Sequence, residues 1–473
     1  MINKNNFLNI VIVIIFSWFV GNIVFNALFY RFKYFQFVLM GILFIPLFIA
    51  LFFKHSKNMI LGLIVFNLMI NPGFPINFFE HRLVIYTSDF LFLFVSFFVL
   101  ARSNFYKKKK IFSSSVLGGI IPLLGLAFFE LLSLIPAVNK TLPWLEIIDT
   151  FRVIWLFLLA IILFDEFNDL KFVIRNLLIA FILQSCFILI EFLVGHPVFR
   201  IPAGVHIFDV VGDIFRPSGT FGHSSGFAKF SSLVIPIAFA SMIYEKRKWR
   251  VISFVSFILG CFALILTVSR AGILFTSIGL FYFIFLIIIQ RSFKIALPKF
   301  VLLICFFAVI LSVSLGGKRI ISRFNNDLGS ISARPKMYSV AFNIIAHNPI
   351  LGVGMNNYVL VAPKYDTTSD RVSVRIPDPV HNIYLLYAAE AGLLGFLMFL
   401  LFLLRTIFAY FKFPFSNDST IWLLSRSIGI GIACCWLHGL IGWGFRLTLV
   451  FSGFLCLFSA AVFKLISIKK NNL

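Results

Sequence analysis

The chain has 473 residues, of which 60% are hydrophobic, 18% aromatic and only 12% charged, with 65 Phe and a mean hydropathy of +1.01. Soluble domains are nearer half apolar and a quarter charged, so this composition excludes a soluble globular protein and leaves a polytopic, all-α integral membrane protein. The formal net charge of +23 does not indicate a nucleic-acid partner, because the basic residues lie mainly in short loops that alternate along the chain, as Lys and Arg do in cytoplasmic loops.

Apolar runs of roughly 18 to 23 residues, each long enough to cross a bilayer as a helix, recur from one end to the other. The first runs directly into the rest and lacks a small-residue cleavage site, which predicts a helix and not a removed signal. The spacing predicts helices over 7–29, 35–53, 59–72, 87–104, 112–133, 146–164, 172–195, 226–244, 250–268, 271–290, 299–315, 382–405, 421–440 and 444–467. That is about fourteen transmembrane helices, within a range of about 12–14, with both termini cytoplasmic. Lys54 and Lys57, Lys107 to Lys110, Lys246 to Arg250, Arg291 with Lys294, Lys412, and Lys469 with Lys470 then share the cytoplasmic side, while Arg31 and Lys33 fall outside. Cys186, Cys261, Cys305, Cys434, Cys435 and Cys456 all fall within predicted helices and read as packing residues, with neither a disulfide framework nor a zinc spacing.

Polar chemistry gathers on the other side, in loops 196–225 and 316–381. The first contains Arg216-Pro-Ser-Gly-Thr-Phe-Gly-His223-Ser-Ser-Gly226. Its glycines and serines predict a turn in which a guanidinium and backbone amides point at one anion. Arg270, in Thr267-Val-Ser-Arg-Ala-Gly272, falls in a tight turn between two apolar runs. It either meets a lipid phosphate or snorkels to headgroups.

The 316–381 loop carries Lys318, Arg319, Arg323, Arg334, Lys336, Lys364, Arg371 and Arg375 against Asp327, Asp366, Asp370 and Asp378. Basic excess in a translocated loop runs against the usual charge bias, and an anion outside the membrane accounts for it. Within it, Tyr338 to Ile345 has helical spacing, broken by Asn348-Pro349, Gly352 and Gly354. His381 closes the loop and opens the next helix, where a histidine serves as cap, packing residue or catalyst. Asp378 and Glu390 are the carboxylates spaced to orient it. Trp436 to Arg446 predicts a hairpin with an aromatic belt, in which His438 and Arg446 are weaker candidates. Asp89, Glu130, Asp149, Arg152 and Glu191 lie in or near helices, where pairing within the bundle is expected.

Taken together, His381-Asn382 followed nine residues later by Gly392-Leu-Leu-Gly395, the segment from Arg334 to Tyr358 with Asn348-Pro-Ile-Leu-Gly-Val-Gly-Met355, Ser269-Arg-Ala-Gly272, and Arg216 to Gly226 resemble the motifs of the bacterial O-antigen ligase and O-antigen polymerase superfamily. The likeness is best over about 205–400. The ligases' Arg-x-x-x-Leu motif has no clean counterpart, since Arg323 is followed by leucine only at Leu328.

The resemblance implies three regions: an N-terminal bundle over 1–200, a catalytic region over 201–405 and a C-terminal hairpin over 406–473. It implies an inverting glycosyltransferase of the bacterial inner membrane, active at the periplasmic face in lipopolysaccharide or surface polysaccharide synthesis. The donor would be an undecaprenyl diphosphate-linked glycan and the acceptor a lipid A core or a growing chain, with membrane lipids as surroundings. His381 would be the general base, Arg216, Arg270, Arg334 and Arg319 would hold the diphosphate, and Asn382, Asp378, Glu390 and His223 would support them. Neither cofactor nor metal is expected, since the outer loops lack an obvious acidic cluster. Polymerase and ligase stand nearly even. A protein O-glycosylation ligase, and a polysaccharide transporter or lipid flippase, are the alternatives.

Overall fold

The computed structural model describes residues 56–70, 73–78, 81–101, 113–198, 210–211, 214–289, 330–412, 419–442, 444 and 449–471. The helices expected at 7–29, 35–53 and 299–315 lie outside these residues, as do Arg319, Cys305 and Arg446. Among the described residues the fold is helical apart from two short antiparallel hairpins, and eight helices are long and apolar enough to cross a membrane.

In chain order, α1 (Ser56–Ile70) leads through β1 (Gly73–Phe78) and β2 (His81–Tyr86), paired Gly73 to Tyr86 and Phe78 to His81, into α2 (Thr87–Ala101). Then come α3 (Ser114–Leu132), α4 (Leu142–Leu163) and α5 (Phe167–Val194). Helix α3 starts on the Ser113 hydroxyl, which accepts from the amide of Val116, and α5 starts on a reciprocal Glu166–Asp169 capping box and stops at left-handed Gly195. A second hairpin, β3 (Val210–Val211) with β4 (Ile214–Phe215), precedes α6 (Ser224–Tyr244), α7 (Arg247–Leu266) and α8 (Arg270–Ile289). The outer region contains α9 (Ser330–His347), α10 (Tyr358–Tyr365) and α11 (Val372–Arg375). The chain closes with α12 (Ile383–Glu390), α13 (Gly392–Lys412), α14 (Ser419–Leu437) and α15 (Leu449–Asn471).

Helix α6 is the centre. It packs against α5, α7, α8 and α14, and every residue from Phe227 to Met242 is buried. The helix carries Ser224, Lys229, Ser231, Ser232 and Ser241 among its buried residues, and polar side chains on a membrane helix face the bundle interior. At Gly431 of α14 a side chain would collide with the backbone of Leu233, so glycine is what lets these two helices approach so closely. A second packing group joins α3, α4, α13 and α15.

Several interior charges are paired. Arg152 of α4 grips both oxygens of Asp89, each at 2.8 Å, reaches Asp149, and lies over the ring of Tyr86. Such a network offsets the cost of taking charge out of water. Arg175 holds Glu245 with two bonds of 2.8 Å beside the Trp249 ring, and Lys57 bridges Asp165 and Asp169. Cys186, Cys261, Cys434, Cys435 and Cys456 are free thiols within helices, as expected.

Two expectations are corrected. The helix foreseen over 382–405 is two helices, because the chain turns at Ala391 and Gly392 (φ +74°). The turn 349–354 displaces the helical bonding there: Val353 and Gly354 donate to the carbonyls of Ala389 and Glu390 at 2.9 and 3.0 Å, and Leu393 donates to Pro349 at 2.8 Å. The Trp436 hairpin is not an interfacial belt at that residue. Trp436 is buried with its ring tilted against that of Phe399, and a single 3-10 turn, His438–Ile441, follows it.

Candidate active site

The start of α12 fixes His381. Asn382 is the N-cap, its side-chain oxygen accepting from the amides of Tyr384 and Leu385 at 3.0 and 3.1 Å. Ile383 and Val380 are fully buried on either side, so the residues around the imidazole have little freedom. From α9, the Tyr338 hydroxyl donates to the carbonyl of Leu440 at 3.0 Å and lies 3.4 Å from the carbonyl of His381. From α12, the Tyr384 hydroxyl donates to the carbonyl of Trp436 at 2.7 Å. The histidine segment is therefore clamped between α9 and the turn 438–441.

Arg334 and Tyr338 are four apart on α9 and share a face. His381 is half-buried, and its Nδ1, like Nε of Arg334, is buried without a hydrogen-bond partner. Burial lowers the His381 pKa first, and the charges of Arg334 and then Lys229 lower it further, against Asp378 and the carbonyl of Pro379, which raise it. The balance keeps the imidazole below its ordinary value and so neutral at neutral pH. A neutral imidazole with a nitrogen that no protein group occupies, close to a guanidinium charge, can take a proton next to a developing anion.

The rest of the outer region stiffens α9. Lys336 and Arg375 both hold Asp370, at 3.0 and 2.9 Å. Burial works against the Asp366 carboxylate, but the hydroxyls and amides of Ser373 and Thr368 outweigh it and hold the pKa at about 2.

Arg216 is buried and donates from Nε to the carbonyl of Thr267 at 2.9 Å. Thr267 ends α7, Val268 takes a left-handed φ of +52°, and Ser269 caps α8 by accepting from Gly272 at 3.3 Å. Arg270 is thus the first residue of α8, in the tight turn its flanks predict. The expected cradle of amides beside Arg216 is corrected. The amides of Ser218 and Gly219 both donate to Glu191, each at 2.8 Å, so a carboxylate of the chain itself already occupies them. Glu191 therefore binds backbone amides, and its role is to hold the arginine loop. His223 is exposed and caps α6: its Nδ1 accepts from the amide of Ser225 at 3.1 Å and lies 2.7 Å from the Ser225 hydroxyl.

The two halves connect along α6. A side chain at Gly272, two residues beyond Arg270, would press on Ala228. The next residue, Lys229, is buried and within electrostatic reach of His381 and His438. Deeper, Ser232 bridges the Thr276 hydroxyl at 2.9 Å and Nε2 of His438 at 3.3 Å. Of the residues expected around His381, Arg334 and Asn382 are there, and Asp378 acts through its charge from an exposed position. Glu390 is not beside it. It is the last residue of the eight-residue α12, and its carboxylate accepts from the amide of Tyr358 at 3.1 Å.

Lys229 escaped the sequence reading. The signal was the charged residue within the predicted span 226–244, since an intramembrane ionisable residue marks a candidate functional site. Among the described residues no three His, Cys, Asp or Glu side chains gather as a metal-ligand set. A cavity of about 60 Å³ lies between Glu146, Asp149, Tyr387 and Trp436, and His381 does not line it.

These features define a polytopic helical membrane protein whose conspicuous polar site is built around one histidine and several fixed cations. Residues 254–400, from α7 through the Ser-Arg turn to the histidine motif and into α13, match the family model for O-Antigen ligase. That match covers about a third of the chain, and over it the chain is similar to the O-antigen ligase family. No curated protein matches the chain.

Proposed function

We propose that the protein transfers a glycan from an undecaprenyl diphosphate-linked donor to a sugar hydroxyl, at the periplasmic face of the bacterial inner membrane, in lipopolysaccharide or surface polysaccharide synthesis. The observation that carries this reading is the half-buried His381, whose Nδ1 has no hydrogen-bond partner and on which the charge of Arg334 acts.

A sugar hydroxyl is a poor nucleophile at neutral pH. His381 takes its proton as the oxygen attacks the anomeric carbon from the face opposite the diphosphate. The new glycosidic bond forms as the bond to the phosphate oxygen breaks, and the anomeric configuration inverts. The diphosphate leaves with an added negative charge. Arg334, with Arg216 and Arg270, stabilises that charge through fixed donors, which serve best where water is excluded, and Arg319 is assigned the same role from its place in the sequence. Asn382 and Asp378 orient and tune the base. Because fixed cations supply the stabilisation, transfer by the purified protein is expected to persist in EDTA.

The family match supports a glycosyltransferase, and both acceptor readings follow from the same site. The surface glycan of a deletion strain, complemented with wild type or with His381→Ala, tests the proposal. Core carrying a single repeat identifies a polymerase. Bare core with polymer held on its polyprenyl carrier identifies a ligase. Wild-type glycan from the His381→Ala strain would refute the mechanism.

A further inference from the structure

Lys229 lies on the second turn of α6, in Phe227-Ala-Lys-Phe-Ser-Ser232, with 4% of its surface exposed. A cation at such a place is expensive to desolvate, and residues of this kind face the bundle interior or a polar cavity that serves a substrate. Its ammonium lies 3.7 Å from the point where a side chain at Gly442 would begin and 5.9 Å from the centre of the Phe451 ring.

Gly442 directly follows the turn 438–441. The same turn meets the histidine segment: its Leu440 carbonyl accepts from Tyr338, and a side chain at Gly439 would strike Ile383 and Tyr384. One short turn therefore has Lys229 on one flank and the start of the histidine helix on the other. The turn is held from below by the His438–Ser232–Thr276 contacts, with Ser232 three residues along α6 from Lys229.

Arg334 comes from α9 and Lys229 from α6, and both charges act on His381 in the same direction. Two cations that both act on one imidazole also repel each other where charge is poorly screened. An anion with several charged oxygens, seated between them, turns that repulsion into attraction. Lys229 is five residues into α6, about 7 to 8 Å along the axis from its start. That depth suits a headgroup whose hydrocarbon tail stays in the bilayer.

We propose that Lys229 is a further substrate-binding cation of this site, its ammonium contacting the diphosphate of the lipid-linked donor from within the bundle while Arg334 contacts it from the outer helices. The inference rests on the donor being a diphosphate, as proposed above. It adds an intramembrane contact to the arginines of the loops.

The test uses the full-length protein in lipid nanodiscs, with inorganic pyrophosphate as the probe. Lys229→Met, similar in length and apolar, is expected to raise the donor KM by about tenfold or more, as loss of a charge-assisted contact does. It should weaken pyrophosphate inhibition by a similar factor and leave the acceptor KM unchanged, while Lys229→Arg recovers most of both. A Lys229→Met protein with wild-type donor KM and wild-type pyrophosphate inhibition overturns the proposal, whatever its Tm. Should that variant fail to accumulate, Gly442→Val crowds the same ammonium from outside α6. A raised donor KM then supports the contact and an unchanged one overturns it. Wild-type protein that pyrophosphate does not inhibit, together with an active His381→Ala, would instead remove the diphosphate reading itself, and this proposal with it.

Discussion

Arg216 donates from Nε to the main-chain carbonyl of Thr267 across 2.9 Å, joining two arginine segments whose bonded residues are 51 apart in the chain. Thr267 leads through two residues to Arg270, so the loop before α6 and the turn before α8 act as one wall. The Nε bond fixes the plane of the guanidinium and with it the position of its charge. A lysine can supply the charge but cannot hold Thr267 and face an anion at once. Arg216→Lys should therefore lower kcat/KM for the donor by about tenfold to a hundredfold, the worth of a fixed charge-assisted hydrogen bond. Wild-type kcat/KM in that variant would make Arg216 a structural residue alone.

The pH dependence of transfer follows from the surroundings of His381. The base must be neutral to accept a proton, so the acidic limb of kcat/KM reports its pKa in the free enzyme. Burial, then Arg334 and Lys229, push that value below the ordinary imidazole value of about 6.5, while Asp378 and the Pro379 carbonyl push it up. Arg334→Gln removes a cation that disfavours the imidazolium, so the limb should move to higher pH. Asp378→Asn removes the anion that favours it, so the limb should move to lower pH. The position of the limb is the readout, because Arg334→Gln is also expected to lower its height. Limbs that stay fixed in both variants would mean that His381 is not the titrating base.

The sequence carries the class of fold and the order of the motifs, because hydropathy and loop charge are properties of single segments. Arg270 at a tight turn and the break after Asn348-Pro349 were legible for that reason. What it does not carry is which polar groups satisfy one another across the bundle. Gly and Ser beside Arg216 look like an anion cradle until Glu191, on another helix, is found in it. Glu390, nine residues from His381 along the chain, is spent on Tyr358. The turn 349–354 breaks the helix after His381 by tertiary contact, against the local helical pattern. Lys229 was hidden by its neighbours, since one cation barely changes the mean hydropathy of its span.

Asn357 holds the outer region to the loop between α3 and α4. Its Oδ1 accepts from the amide of Asn139 at 2.8 Å and its Nδ2 donates to the carbonyl of Asn139 at 3.1 Å, with the side chain fully buried. Asn357→Ala leaves a main-chain donor and acceptor without these partners, which costs about 1–3 kcal/mol for each group that water cannot reach. The variant should show a lower Tm in detergent and faster amide exchange at 133–142 and 354–358, with α5 to α7 unchanged. Uniform exchange across the chain would mean that the amide pair does not act as a local clasp.

Gly392 and Gly195 share a backbone conformation, φ +74° and +77°, and differ in what surrounds them. A side chain at Gly195 meets nothing within 4 Å, whereas one at Gly392 would run into the carbonyl of Ile350 and the amide of Leu351. Gly195→Ala therefore measures backbone strain alone, about 1–2 kcal/mol for a left-handed non-glycine residue. Gly392→Ala adds a collision with main chain that cannot rotate away. It must push the turn 349–354 off the end of α12, breaking the bonds of Val353 and Gly354 to Ala389 and Glu390. His381 is at the other end of that eight-residue helix, so the displacement reaches the site as well as the fold. Gly392→Ala should lose about 2 kcal/mol more than Gly195→Ala, by analogy with overpacked cores, and lose transfer activity with it. Equal Tm values for the two variants would show that the turn yields freely, and that the glycine in the histidine motif serves conformation without contact.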